Sequence, residues 1–475
     1  MTTSTQSTFT TGLRTLDRER VVDALPVSGE LPHWLNGSLI RNGPAAFDWR
    51  DGSFRHWFDG QAMLHRFELD NGRVGYRNRY VDTPSSRSVR SDGRIAYSEF
   101  ATDPCQSLFS RFFTQFRRVA VPNPNVNVQL GGEHAVALTE LPLPVEFDPE
   151  TLETLRVSGY QDSLRGNVTT AHPHADPTTG DLVNYLLRFG RTSAYQVYRQ
   201  AGGNRRELIG TVPTDRPGYL HSFAVTEHHV VLMIFPLVVN PLSFLLRNQP
   251  FIANYRWRPE LGTRIVVLDS RTGAIRTDTS TEPLFSFHHI NAFEEGDTVV
   301  LDLSQYHDAT IVDALYLDRL RAGEGIPPAR PVRHRVELDS GRVRSTRLSE
   351  EPLELPTIDY RRRNGRPYRY TYGVGADRGA AELADFFNQL VKLDTRTGRT
   401  IVWREPGTYP GEPVFVPAPN ATEEDEGVAL SVVLDPAADR SLLVVLDARS
   451  FGELARAEVP HPIPFGFHGQ FTRAR

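Results

Sequence analysis

Residues 264–273 read RIVVLDSRTG, a short run of β-branched residues that ends in an Asp-to-Gly turn. Isoleucine and valine fit the pleated surface of a sheet, so the run predicts a strand. The aspartate can accept turn amides and the glycine can adopt a positive φ, which together predict a tight hairpin. The same turn recurs at four other places, namely Asp70–Gly72, Asp176–Gly180, Asp339–Gly341 and Asp394–Gly398.

Hairpins from one end of the chain to the other predict an all-β fold. Long helices do not alternate with the strand-like runs, which argues against a doubly wound α/β fold. At 475 residues, repeated hairpins favour a β-propeller, in which small sheets surround a central axis. We expect a loosely ordered Ser/Thr-rich arm over residues 1–15 and a single domain over residues 16–475, because no Pro-, Gly- or Ser-rich linker divides the chain.

Composition excludes several classes of protein. The net charge is −5 with both signs mixed along the chain, so a basic face for nucleic acid is not expected. Cys105 is the only cysteine; it can form neither an internal disulfide nor a thiolate site, and any metal must take nitrogen or oxygen ligands. No apolar run reaches the ~20 residues of a membrane span. We expect a cytoplasmic protein that is soluble or peripherally attached to a membrane.

Four of the fifteen histidines share a setting in which small or apolar residues precede the imidazole. These are His172, His221, His288 and His468. Their spacings of 49, 67 and 180 residues exclude a compact site on one helix and suit ligands contributed one at a time by separate blades. Imidazole binds Fe, Zn, Cu or Ni, so the residue type leaves the metal open. By contrast, His134, His307 and His334 lie in polar surroundings and are predicted to be surface residues.

Three glutamates lie among apolar residues, at Glu140, Glu354 and Glu412. A metal-bound histidine usually donates its other N–H to a carboxylate, a backbone carbonyl or water, which fixes the tautomer of the ring. These glutamates are therefore candidates for that role. From the residues alone, each could equally be a salt-bridged surface residue.

Two apolar stretches interrupt the strands. Leu108, Phe109, Phe112, Phe113 and Phe116 fall on one face at helical spacing, and residues 235–246 read FPLVVNPLSFLL. Both stretches suit either of two roles, an anchor in the membrane interface or a cap packed on the strands.

Long motifs extend over nearly the whole chain in a fixed order. They include LNGSLIRNGP (35–44), HWFDGQAMLHRF (56–67), YLHSFAVTEHHVVL (219–232), FHHINAFEE (287–295) and IPFGFHGQF (463–471). In these motifs the chain resembles the carotenoid cleavage oxygenases, and more closely the branch of the animal β-carotene oxygenases and the retinal pigment epithelium retinoid isomerohydrolase.

The resemblance implies a seven-bladed β-propeller with a helical cap over its top face. It implies Fe(2+) bound by His172, His221, His288 and His468, with Glu140, Glu354 and Glu412 orienting the last three of these in turn. His174 and His289 fall outside the implied ligand set. The implied reaction is the cleavage of a C=C bond in a carotenoid or apocarotenoid by dioxygen, giving aldehyde products, with no side-chain acid or base.

The resemblance also implies a membrane-facing patch formed by 108–116 and 235–246, through which an apolar polyene would enter. A cleaver of stilbenes would carry a lysine beside the first glutamate, whereas this chain has Thr139, and its only lysine is Lys392. A retinoid-type isomerohydrolase and a non-catalytic carotenoid or lipid carrier are further alternatives.

Overall fold

Seven antiparallel sheets of four or more strands surround a central axis in the computed structural model, which describes residues 8–104, 121–131, 135–247, 249–377 and 386–474. Consecutive sheets contact one another in chain order, and the last sheet returns to the first. The predicted seven-bladed β-propeller is therefore confirmed.

The first four blades contain the following strands, given from the outer edge to the axis. Blade 1 has Val21–Val22, Arg73–Tyr80, Gln61–Asp70, Gly37–Ala46 and Gly469–Arg473. Blade 2 has Thr154–Val157, Val145–Phe147, Ala135–Leu138 and Asn127–Gln129. Blade 3 has Glu207–Thr214, Ser193–Gln200, Leu182–Arg188 and an inner pair, Val168–Thr169 and His174–Ala175. Blade 4 has Ile275–Thr281, Thr263–Asp269, His229–Ile234 and Ala224–Val225.

The remaining blades follow the same plan. Blade 5 has Val343–Arg347, Arg330–Glu337, Thr298–Tyr306 and Phe285–Glu295. Blade 6 has Thr400–Trp403, Gln389–Asp394, Tyr370–Gly375 and Glu354–Thr357. Blade 7 has Val27–Gly29, Glu453–Val459, Arg440–Asp447, Gly427–Asp435 and an inner pair, Tyr409–Pro410 and Val414–Pro417. Two small ribbons pair Asp48–Trp49 with Gly52–Ser53, and Leu237–Val238 with Arg256–Trp257.

Helices are short and lie between the strands. Among the described residues, the α-helices are Pro84–Arg90, Ser243–Leu246, Thr310–Ala314, Leu317–Arg321 and Tyr360–Arg363, and the 3-10 helices are Thr8–Leu13, Trp57–Asp59, Ile252–Asn254 and Pro259–Leu261. None of the helices in the described ranges has the length and apolar character that crossing a membrane requires.

Strands from both ends of the chain close the circle of seven blades. Strand Gly469–Arg473 forms the inner edge of blade 1 by pairing with Gly37–Ala46, in a register that sets Gly469 opposite Arg41. Strand Val27–Gly29 forms the outer edge of blade 7 by pairing with Glu453–Val459. An apolar cluster between these two blades includes Leu39, Phe67, Leu430 and Leu443. Burying each such side chain contributes roughly 1.5–3 kcal/mol, so the closure rests on packing as well as on strand pairing.

The five Asp-to-Gly turns have the predicted geometry. Gly72, Gly180, Gly273, Gly341 and Gly398 all have φ between +67° and +78°. In the turn that begins at Asp269, one carboxylate oxygen accepts the backbone N–H groups of Arg271 and Thr272, and the N–H of Gly273 donates to the carbonyl of Asp269 at 2.9 Å. Four of the five turns join the third and fourth strands of a blade, counted from the axis, in blades 1, 4, 5 and 6.

The described part of the predicted N-terminal arm is not loose. Residues Thr8–Leu13 form a 3-10 helix in which Phe9 and Leu13 are fully buried. Phe9 stacks on Phe386 with 5.3 Å between ring centroids. The expectation of a loose arm is therefore wrong for residues 8–13, because two apolar side chains among the Ser/Thr residues pack into the core. Residues 1–7 lie outside the described ranges.

Of the two apolar stretches, only the second lies within the described residues. The helical face of residues 108–116 lies outside the described residues, as do Cys105 and His134. In the stretch 235–246, Phe235, Leu237 and Val239 are buried in the core, whereas Leu242 is 59% exposed and Leu246 is 81% exposed. Only the end of this stretch is therefore available for a surface role.

Candidate metal centre

The four candidate histidines lie on or beside the innermost strands of four blades. His172 lies between Val168–Thr169 and His174–Ala175 in blade 3, and His221 precedes Ala224–Val225 in blade 4. His288 belongs to Phe285–Glu295 in blade 5, and His468 precedes the C-terminal strand of blade 1. Because every inner strand faces the axis, residues far apart in sequence meet there.

The four imidazoles form a compact group. One nitrogen from each ring lies within 4.8 Å of the corresponding nitrogen of the other three. The Nε2 atoms of His172 and His221 are 3.1 Å apart, and those of His288 and His468 are also 3.1 Å apart. The structure thus brings together all four histidines that the sequence singled out, as a group that could hold a metal ion.

The three glutamates contact the outer nitrogens of three of these rings. The Nδ1 of His221 lies 2.7 Å from Glu140, that of His288 lies 2.6 Å from Glu354, and that of His468 lies 2.7 Å from Glu412. These glutamates come from blades 2, 6 and 7, so each of the seven blades supplies one residue. Within the described part of the chain, His172 has no carboxylate partner.

The arrangement of donors fits a divalent cation. His288 and His468 each donate Nδ1–H to a carboxylate, so a neutral ring presents a lone pair at Nε2. These two lone pairs face each other across 3.1 Å, where they repel unless a positive ion lies between them. Two nitrogens bound at right angles to one metal, each at about 2.1 Å, would be about 3.0 Å apart. The observed spacing therefore suits metal coordination, for which neutral imidazole is required.

Burial keeps the charges of this centre in the states that metal binding needs. Burial, reinforced by the three neighbouring rings, holds the pKa of His172 well below its usual range. Burial also lowers the pKa of His468 to about 4, against the opposing effect of Glu412. For Glu354 and Glu412, burial raises the pKa, but the paired histidines and, for Glu412, Arg41 outweigh it, so both pKa values are lowered. A neutral His468 therefore faces an ionised Glu412.

An apolar cavity opens directly above the ring of histidines. Its empty volume is about 700 Å³, part of which is open to solvent. Its walls are mainly aromatic and aliphatic, formed by Trp57, Phe58, Phe100, Val126, Phe287, Tyr306, Ile311, Leu315, Leu355, Phe387 and Phe467. Such a lining favours an apolar ligand beside the Nε2 atoms over water.

Sequence reasoning did not assign the walls of this cavity. Trp57 and Phe58 belong to the motif HWFDGQAM, which signalled the family but not the place of its aromatic residues. Asp59 holds this segment in place, because its carboxylate accepts the backbone N–H groups of His56 and Ala101 at 3.0 and 2.8 Å. Burial raises the pKa of Asp59 to about 6.

The other histidines have separate roles. His174 donates from Nε2 to the carbonyl of Phe223 at 3.0 Å, and His289 lies 2.7 Å from the hydroxyl of Ser222 through Nδ1, so neither ring belongs to the central group. The side chain of His307 is exposed, as predicted. The prediction for His334 was wrong: its ring is buried and lies within hydrogen-bond distance of Gln305 and Ser345.

The sequence profile described as retinal pigment epithelial membrane protein matches residues 13–473. The chain belongs to this family of carotenoid oxygenases. Its members include the carotenoid isomerooxygenase of Galleria mellonella, which is 34% identical over 94% of this chain and 93% of that protein. The human mitochondrial carotenoid-cleaving dioxygenase is 33% identical over 94% of this chain and 87% of its own length.

Solved structures agree with this assignment. A mutant of the Synechocystis enzyme ACO has a TM-score of 0.89 at 25% identity, with 99% of each chain covered. A cobalt-substituted form of the same enzyme has a TM-score of 0.88 at 25% identity, with the same coverage. The resemblance inferred from the sequence motifs is confirmed.

Proposed function

We propose that the protein is an iron(II)-dependent dioxygenase that cleaves a C=C bond of a carotenoid or apocarotenoid to two carbonyl products. The observation that carries this proposal is the ring of four converging Nε2 atoms at the floor of an aromatic cavity. The names of the curated relatives support the reaction class, since they include carotenoid-cleaving dioxygenases. An apolar polyene and dioxygen are the proposed substrates.

His172, His221, His288 and His468 would hold the iron, which supplies activation of dioxygen when it is bound. The three glutamates fix the tautomers of their histidines, so that each Nε2 keeps its lone pair toward the centre. Four neutral ligands leave the charge of the ion uncompensated at the centre itself, and the nearby carboxylates offset part of it through the rings.

The cavity walls align the substrate and exclude water. Phe58 contacts both Phe467 and Phe287, with centroid distances of 5.3 and 5.6 Å, and its ring is stacked 6.4 Å from that of His221. Flat aromatic faces suit a conjugated chain. The two glutamates that line the cavity, Glu140 and Glu354, contact His221 and His288. No side-chain acid or base is needed in this proposal, and none is assigned.

The test is aerobic incubation of iron-loaded protein with carotenoids, apocarotenals and a hydroxystilbene under ¹⁸O₂. We expect one polyene to yield two carbonyl products, each carrying one labelled oxygen. His288→Ala should lose the reaction, whereas His307→Ala, which removes an exposed imidazole, is the matched control. A geometric isomer formed without oxygen uptake would instead indicate an isomerohydrolase. Bound polyene that stays unchanged while iron is present would indicate a carrier.

Among the described residues, no lysine lines the cavity to anchor a phenol in a stilbene-type reaction. Thr139 lines the cavity at the position where a stilbene cleaver would carry lysine. Lys392 lies in blade 6, where its ammonium pairs with Asp425 at 2.6 Å and donates to the carbonyl of Arg449. The hydroxystilbene is therefore expected to remain uncleaved.

Peripheral attachment to a membrane is part of this proposal. Leu242 and Leu246 are exposed at the helix Ser243–Leu246, and Phe244 of that helix stacks on Phe251 at 5.7 Å. Phe251 in turn lies 6.1 Å from Phe100, a wall of the cavity. A row of packed aromatic rings thus connects this helix to the cavity wall, so the exposed leucines lie on the side of the protein from which a substrate in lipid would enter.

Liposome co-sedimentation tests this attachment. Leu242→Ser combined with Leu246→Ser should reduce the bound fraction. Leu208→Ser is the control, since Leu208 is also exposed but lies on the outer strand of blade 3. Equal binding by all three proteins would contradict the attachment through this helix.

A further inference from the structure

Arg41 is a buried arginine at the closure of the propeller. It belongs to Gly37–Ala46 of blade 1, and only 5% of the residue is exposed. One arm of its guanidinium forms an ion pair with Glu412, and the other donates to the carbonyl of Phe467 at 2.9 Å. Both partners are adjacent to the metal centre, because Glu412 contacts His468 and Phe467 directly precedes it.

Glu412 connects Arg41 to the group of four histidines. One carboxylate oxygen lies 2.7 Å from Nδ1 of His468, while the other pairs with Arg41 and accepts the backbone N–H of Gly469 at 3.0 Å. The planar fork of Arg41 thus fixes the carboxylate and the backbone of residues 467–469 together, in a geometry that the point charge of an ammonium does not reproduce.

The other two glutamates have neutral partners, which bond to the same carboxylate oxygen that contacts the histidine. Glu140 accepts the hydroxyl of Tyr219 at 2.8 Å, and Glu354 accepts the backbone N–H of Leu355 at 2.5 Å. Among the described residues, no arginine is paired with either of them. The centre is therefore asymmetric, since only the His468 carboxylate is paired with a permanent cation.

We propose that Arg41 is a positioning residue for the metal centre, which couples closure of the propeller ring to retention of the metal at His468. This inference rests on the proposed metal-binding function. Its basis is that His468 comes from the segment that completes blade 1, and Arg41 stands opposite Gly469 in that pairing. Of the four proposed ligands, His468 is thus the one whose position depends on the N- and C-terminal parts of the chain staying joined.

The charge of Arg41 also affects the ligand itself. A carboxylate that is paired with a guanidinium accepts a weaker hydrogen bond from the imidazole N–H than a carboxylate without a cation does. His468 is therefore expected to donate less electron density to the metal than it would beside a carboxylate without a cation, but to be held more rigidly. Removal of Arg41 would free the carboxylate to turn away from Nδ1 and release the carbonyl of Phe467.

Arg41→Gln tests the inference, with Arg333→Gln as the matched control. Arg333 forms a similarly buried ion pair with Asp302 at 2.7 Å, in blade 5, and does not line the cavity. For wild type and both variants, the measurements are the rise in Tm on adding Fe(II), the rate of metal release to a chelator, and the visible absorption of the Co(II)-loaded protein.

We expect Arg41→Gln to bind metal about ten- to a hundredfold more weakly, the usual effect of removing a residue that orients a ligand. Its metal-induced rise in Tm should shrink and its cobalt spectrum should change. Arg333→Gln should lower Tm by the same amount with and without metal. Its metal-induced rise in Tm, its rate of metal release and its cobalt spectrum should be those of wild type. The inference would be overturned if Arg41→Gln matched wild type in its metal-induced rise in Tm, its rate of metal release and its cobalt spectrum.

A second pair of variants covers the case in which Arg41→Gln does not fold. Arg41→Lys keeps the charge but loses the planar fork and the reach of the guanidinium, so it should hold Glu412 and Phe467 less rigidly and release metal at least several-fold faster than Arg333→Lys. Equal rates would overturn the inference. If wild type itself shows no metal-induced rise in Tm, the proposed metal function fails and this inference with it. If wild type shows the rise and Arg41→Gln matches it, only the inference fails.

Discussion

The hydroxyl of Thr170 donates a hydrogen bond to the backbone carbonyl of His221, and its oxygen accepts the backbone N–H of His172 at 3.0 Å. This side chain is only 1% exposed. It holds two of the four central histidines, which belong to neighbouring blades. His172 has no carboxylate to orient it in the described part of the chain, so this contact is a main source of order for its backbone.

Thr170→Val should weaken metal binding, because valine keeps the shape of threonine but loses both hydrogen bonds. The unpaired carbonyl should also cost about 1–3 kcal/mol of unfolding free energy. Thr277→Val is the control, since Thr277 likewise donates to a carbonyl of the next blade, that of Leu338 at 2.5 Å. Urea unfolding should show similar losses for both variants, while chelator-induced metal release should be faster only for Thr170→Val. Equal release rates would contradict the assignment.

Glu354→Gln should lower metal affinity about ten- to a hundredfold, because the amide keeps the size of the side chain but loses the charge that orients His288. Metal content after dialysis against a graded chelator measures this loss. Glu337→Gln is the control, since Glu337 lies in blade 5 with its carboxylate among surface arginines. A Glu354→Gln protein that retains metal like wild type would show that the 2.6 Å contact with His288 does not tune the site.

The sequence predicted hairpins well because one turn chemistry recurs, but it concealed two of them. Asp148 and Asp447 begin turns of the same kind in blades 2 and 7, where the N–H of Leu152 or Phe451 donates to the aspartate carbonyl at 2.8 Å. Leu152 and Phe451 take the place of glycine at φ of +60° and +62°. Both side chains are buried in apolar clusters, and that packing offsets the backbone strain. A search for Asp-to-Gly turns cannot find such positions.

For the site, the sequence predicted which residues take part but not how they are arranged. Family motifs and strand-end settings singled out the four histidines and three glutamates, but no pattern gave their distances or the charge pairing of Arg41, because these depend on contacts between blades. His334 shows that a local rule can be applied wrongly. It alternates with Val332 and Val336 in one strand, so the period of two places it on the buried face despite its arginine neighbours.

Gly273→Ala should destabilise the fold far more than Gly72→Ala. Both glycines have positive φ, so alanine is strained at either position by about 1 kcal/mol. A Cβ at Gly273 would also lie 1.8 Å from the backbone carbonyl oxygen of Ile209 in blade 3, whereas a Cβ at Gly72 meets no atom within 4 Å. We expect losses of about 1 kcal/mol for Gly72→Ala and about 2–4 kcal/mol for Gly273→Ala in urea unfolding. Equal losses would show that blades 3 and 4 are not so closely packed.

His334→Gln should flatten the acid dependence of stability. Burial lowers the pKa of His334 from 6.5 to about 4, so the ring stays neutral in the folded protein at pH 5 while the unfolded chain becomes protonated. The unfolded state then binds more protons, and the unfolding free energy falls as the pH drops from about 6.5 toward 4. For this one residue the fall between pH 7 and pH 5 is about 2 kcal/mol.

The measurement is urea unfolding of the metal-free protein at pH 7 and pH 5. The decrease between the two values should be about 2 kcal/mol smaller in His334→Gln than in wild type. His307→Gln removes a fully exposed imidazole and is the control for the loss of a histidine as such. Glutamine can still hydrogen-bond to Gln305 and Ser345, so the difference reports the protonation of His334 more than the loss of its contacts. A decrease as large as that of wild type would mean that His334 is protonated as readily in the folded protein as in the unfolded chain.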